Sequence, residues 1–128
     1  MKLLLSVCIL LSGHLIFAQQ ACQGIEILYP KTDSVIDRTE DQTSTYLILG
    51  NTYKNSVLKK VLLLHEKDGS EVTKEVWTGE DDLLKVSAIQ QNLGDLDLPN
   101  TYWFSALIEQ EGHECLFDSG RFKINNNQ

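Results

Sequence analysis

Apolar and polar side chains alternate with a period of two along most of this chain, and that period is the pitch of a β-strand. The clearest run is Thr101 to Glu109. Tyr102, Phe104, Ala106 and Ile108 fall on one face, and Trp103, Ser105 and Leu107 on the other. Gly24 to Tyr29 repeats the pattern with Ile25, Ile27 and Tyr29 opposite Glu26 and Leu28, and Pro30 stops it. Ser44 to Leu49 is a second strand, rich in Thr, Tyr, Leu and Ile and closed by Gly50-Asn51. Leu58 to His65 and Val72 to Trp77 flank Asp68-Gly69, and Asp-Gly between two β-rich runs is a strong hairpin cue because both residues tolerate positive φ. The first arm is apolar on both faces (Leu62 and Leu64 against Val61 and Leu63), which predicts a central strand. In the second arm Val72, Lys74 and Val76 share one face, and Thr73, Glu75 and Trp77 take the other.

The remaining segments are less regular. Lys31 to Gln42 offers only Val35 and Ile36 for burial and reads as a loop or an irregular edge segment. Thr78 to Asp82 reads as an acidic loop, and Leu93-Gly94 to Pro99 as a turn. Leu83 to Ile89 fits a strand through Leu84, Val86 and Ala88, or a helix through Leu83, Val86, Ile89 and Leu93. The strand is preferred because the helical stripe is incomplete. Glu111-Gly112-His113 turns the chain into Glu114 to Ile124, which Ser119-Gly120 interrupts as a bulge would. About seven strands and no firm helix predict an all-β antiparallel two-sheet sandwich.

The first residues predict export. Lys2 precedes an uncharged, largely apolar stretch from Leu3 to Phe17, which is short for a membrane span, and Ala18 is a small residue at a fitting cut. Residues 1–18 are therefore expected to be a secretory signal peptide and 19–128 a single β-sandwich domain, secreted, periplasmic or extracellular, with no later segment apolar enough to span a membrane. Of the 3 Cys, Cys8 leaves with the signal, and Cys22 and Cys115 remain. An even pair in an exported chain predicts one disulfide. The alternative is a lipid anchor on Cys22, although Gln19-Gln20-Ala21 is a poor context for it.

Leu96-Asp97-Leu98-Pro99-Asn100-Thr101-Tyr102 resembles the approach to the sixth strand of immunoglobulin-like and fibronectin type III-like domains, where a Leu and a Pro precede a Thr and then a Tyr that caps the corner. Asp118 to Ile124 is similar to their last strand, and Ile25 to Pro30 to their first strand and its Pro stop. The resemblance implies an immunoglobulin-like sandwich whose first and last strands begin at the same end, which would bring Cys22 near Cys115.

The residues that could carry chemistry are few. A formal net charge of -7 argues against a nucleic-acid binder, which needs clustered Lys and Arg. His113 and Cys115 could pair as base and thiol, but a half-cystine beside a turn histidine is the stronger reading. His65 is expected to be a solvated strand-end residue. There is no HExxH or CxxC spacing, no Gly-rich phosphate loop and no Asn-x-Ser/Thr sequon. Asp95 and Asp97 are weak calcium candidates, and no cofactor is expected. The remaining cue is a set of exposed aromatic and apolar side chains: Trp77, Trp103, Leu107 and Tyr53. They favour an unknown protein partner, with a glycan stacked on the Trp residues as the alternative and a small protease inhibitor or hydrolase as a third reading.

Overall fold

The computed structural model describes residues 20–127; the expected signal peptide lies outside the described residues. Ten strands follow in order: β1 (Gln20–Ala21), β2 (Ile25–Tyr29), β3 (Val35–Arg38), β4 (Ser44–Asn51), β5 (Ser56–Lys67), β6 (Ser70–Asp82), β7 (Val86–Asn92), β8 (Asn100–Gln110), β9 (His113–Asp118) and β10 (Phe122–Asn126). The described residues contain no helix, so the open choice at Leu83–Ile89 resolves against the helix, although the strand starts only at Val86 and runs on to Asn92. About seven strands were expected. The count rises because β1 and β3 form on either side of the expected first strand, β2, and because the interruption at Ser119-Gly120 divides the last into β9 and β10.

The strands form two sheets. In the larger, β6, β5 and β8 pair antiparallel, and β9 and β10 follow one another along the far side of β8. The broken first strand then joins this sheet twice in parallel, β1 on β9 and β3 on β10. Between those contacts it crosses over, because β2 pairs with β4 in the smaller sheet β2-β4-β7. The segment expected to be a loop or irregular edge thus contains β3. Ile36 is buried there and Val35 is exposed.

Between the sheets lie Leu47, Leu49 and Ile89 from the smaller one and Leu58, Val61, Leu63, Tyr102, Phe104, Ile108, Phe122 and Ile124 from the larger. The rings of Phe104 and Phe122 stack at 5.5 Å. Each side chain of this size contributes about 1.5–3 kcal/mol when fully buried. β5 lies between β6 and β8, as its two apolar faces required.

Local geometry follows the sequence cues. Asp68 and Gly69 have φ of 54° and 80°, and Glu111 and Gly112 have φ of 51° and 80°; both hairpins close through two left-handed residues, whose twist matches that of the strands. The Tyr102 hydroxyl donates to the Asp97 carbonyl at 2.8 Å, which is the corner expected of the sixth strand. At the interruption in the last strand, the Ser119 hydroxyl accepts the Phe104 N–H at 2.8 Å, so the ladder loses no bond there.

Two expectations fail in β6. Thr78 to Asp82 is strand rather than acidic loop. The register also slips beside Val76: Glu75 opposes Leu62, but Trp77 opposes Val61. One extra residue reverses every later side chain, so Trp77 turns to the inner face and packs against the core rim. His65 is likewise buried, not solvated, and its ring tilts against Tyr102 at 4.9 Å.

Candidate interaction surface

The outer face of the larger sheet carries the side chains of β8 that the core does not use. Leu107 lies there, opposite Lys60 of β5 and Leu116 of β9. Leu62, one outward position further along β5, faces Ser105. Leu62, Leu107 and Leu116 are all half-buried, so they form an apolar band across three adjacent strands. Charge borders the band. A bulge at Lys59 frees its ammonium to bind Glu80 at 3.0 Å and Glu109 at 3.4 Å. The Glu80 carboxylate, ahead of Glu109, holds the Lys59 amine above its ordinary range. Glu114 and Asp118 are exposed on the β9 side.

Trp103 shares this face but is not an open platform. Only 7% of it is exposed, because the Arg121 guanidinium lies 3.9 Å from the ring centroid and buried Leu64 stands opposite on β5. Period two placed Trp103 on the correct side of β8 and could not reveal the side chain that covers it.

Tyr53 belongs to a different region, the end of the sandwich held by the disulfide. Cys22 and Cys115 are bonded with their Cα atoms 5.2 Å apart. That bond removes both the thiol nucleophile beside His113 and the lipid anchor on Cys22, since each needs a free sulfur. Next to it, Gln110 Nε2 donates to the Gln23 carbonyl at 2.8 Å and to Ser56 Oγ at 3.0 Å, while its Oε1 accepts the Gln23 N–H at 3.0 Å. The side-chain amide thus pairs with the backbone as a neighbouring strand would. Asn51 Oδ1 accepts the Tyr53 N–H at 3.0 Å, and the Tyr53 hydroxyl donates to Glu111 Oε1 at 2.8 Å. That bond holds the phenol above its ordinary pKa. Sequence reasoning missed Gln110, Asn51 and Ser56. Gln110 was detectable in principle, as a polar residue two positions beyond Ile108 on the inward face of β8.

The expected surface residues therefore do not meet. Trp103 and Leu107 share one face, Trp77 lies on the other side of the same sheet, and Tyr53 sits at the disulfide end. Asp95 and Asp97 lie in a turn beside Lys67, whose Nζ is 3.8 Å from Asp97 Oδ2. Among the described residues, no group of three or more His, Cys, Asp or Glu side chains is placed to hold a metal ion.

No protein-family model and no curated protein matches the chain. Among solved structures it is similar to murine CRIg, with a TM-score of 0.54 and 11% identity. The match covers 81% of this chain and 98% of that one. The architecture is an immunoglobulin-like all-β sandwich.

Proposed function

We propose that the protein is an exported, non-catalytic immunoglobulin-like module that binds another protein through the outer face of its larger sheet. The observation that carries this reading is the band of Leu62, Leu107 and Leu116 with Lys59, Lys60, Glu109, Glu114 and Asp118 around it. An apolar centre inside a polar rim is the anatomy of a protein contact. Sugar stacking has less support, because it needs an open aromatic face and Arg121 occupies that of Trp103. Export is supported by the leader-like first 18 residues and by the disulfide, a bond of oxidising compartments.

The reading is tested by placing a photo-crosslinking residue at Leu107 in the native host and, as a control, at exposed Lys123 on β10. Discrete protein adducts from position 107 alone are expected. Equal adducts from both positions, or none from 107, would remove this surface. Exported material should begin at Gln19; an intact Met1 on the protein outside the cell would refute the cleavage.

A further inference from the structure

The four-residue spacing between Asp82 and Val86 brings together two features that the proposed surface does not use: an open strand edge and an apolar cleft. Among the described residues β7 is an outer strand of the smaller sheet, paired only with β4. Asn51 N–H bonds the Lys85 carbonyl at 2.9 Å, and Leu93 N–H bonds the Thr43 carbonyl at 2.9 Å. Odd-numbered residues therefore turn their main-chain groups towards β4. In an antiparallel ladder the direction alternates, so Val86, Ala88 and Gln90 point their N–H and C=O groups away from the sheet.

Exposed edges are normally blunted by charge, proline, bulges or shortness. β6, an outer strand of the larger sheet, has Glu71, Lys74, Glu75, Glu80, Asp81 and Asp82 and register slips against β5. β2 has Glu26, a bulge and a following Pro30. β1 is two residues long, and β3 carries Asp37 and Arg38. β7 reads Val-Ser-Ala-Ile-Gln-Gln-Asn, without charge, proline or irregularity in seven successive pairs with β4.

Beside this edge a cleft of about 520 Å³ opens between the sheets, lined in part by Leu58, Val76, Trp77 and Ile89. Asp81 and Asp82 stand at its Val86 end. Leu84 and Val86 at the same rim are 68% and 58% exposed. A strand laid on β7 would direct alternate side chains inward, into the cleft and onto the Trp77 ring.

We infer that β7 and this cleft bind an extended peptide segment of a partner protein by strand addition, the segment having apolar residues at alternate positions and a basic residue facing Asp81 and Asp82. Main-chain pairing supplies affinity, and the cleft and carboxylates supply selectivity. A second copy of this chain is the weaker occupant. Its β7 would bring Ser87, Ile89 and Gln91 inward, two of them polar, and would join two molecules of net charge -7. The site is separate from the Leu107 face, so either can fail without the other.

The probes are end-blocked nine-residue peptides of alternating Val and Thr, one ending in Lys and one in Glu, titrated against the oxidised protein with Trp fluorescence as readout. The Lys peptide is expected to bind in the micromolar to millimolar range, at least about threefold tighter than the Glu peptide. It should also slow amide exchange at Val86, Ala88 and Gln90. Ala88→Pro removes an N–H that points away from β4, so the fold should persist while affinity falls at least about tenfold. Asp81→Lys with Asp82→Lys should cancel the preference for Lys. The inference is overturned by absence of binding at about 1 mM peptide, by binding that Ala88→Pro leaves intact in a folded variant, or by a wild-type dimer that Ala88→Pro dissociates.

Discussion

Gln110 concentrates more hydrogen bonding than any neighbour at the disulfide end, so its replacement by an apolar side chain of similar size separates polar pairing from packing. Gln110→Leu leaves the Gln23 N–H and carbonyl without their partners at 3.0 and 2.8 Å. A loss of about 1–3 kcal/mol in denaturant unfolding is expected, the range for orphaning partly buried groups. Tyr53 offers a pH test of the same region. Its raised pKa comes first from the hydrogen bond to Glu111, so the bond stabilises the protonated phenol. The stabilisation is fully present below the ordinary tyrosine value of 10.0 and is lost as pH rises through the higher folded value. Absorbance titration of the folded protein should show a late phenolate that Tyr53→Phe removes and Glu111→Gln moves back towards 10.0. Tyr102 also titrates late, chiefly through burial, and should be unaffected by either change. At this scale the chain was legible where a residue acts through near neighbours, as Tyr102 does with Asp97. It was not legible at Trp103, whose cover is Arg121, a residue brought near only by the pairing of β8 with the last strand.

Strands and turns divide in the same way. Asp68-Gly69 fixes its hairpin through backbone preference alone, which a sequence displays directly. The bulge beside Val76 depends on how β6 fits β5, and no residue type announces it, so simple alternation puts Trp77 on the wrong face. Two glycines of this hairpin separate the two kinds of cause. Gly69 has a φ of 80° and open space for 4 Å around the place a Cβ would take, so Gly69→Ala costs only the left-handed penalty, about 1–2 kcal/mol. Gly79 has no such φ, but a Cβ there would stand 2.8 Å from the Trp77 ring. Gly79→Ala should therefore displace the indole and change Trp fluorescence in the native state. Gly69→Ala should shift the unfolding midpoint and leave the native spectrum unchanged. An identical native spectrum for the two variants would mean that Trp77 does not pack against Gly79 as described.

The whole molecule is closed at one end by a bond that spans nearly the entire described chain. The first strand reaches both sheets in turn, and only short stretches of it pair at each: Gln20–Ala21 on β9, Ile25–Tyr29 on β4, Val35–Arg38 on β10. Such short pairings hold weakly alone, and the disulfide compensates by fixing their start. Cys22 and Cys115 are 93 residues apart in sequence, so the cross-link restrains a long loop of the unfolded chain. The chain-entropy treatment sets the gain at up to about 4 to 5 kcal/mol, with about 2–4 usual in practice. The pair was legible from cysteine counting and from the end at which an immunoglobulin-like topology starts. The crossing of the first strand was not, because its alternation is equally compatible with either sheet. Non-reducing mass analysis should find the Cys22 and Cys115 peptides joined. Cys22→Ser with Cys115→Ser should lower stability by about 2–4 kcal/mol. Because β4, β5 and β8 pair over long stretches and β1 and β2 over short ones, the variant should keep native amide protection in β4, β5 and β8 and lose it first in β1 and β2. Uniform loss of protection across both sheets would instead mean that the disulfide sustains the entire sandwich rather than its first strand.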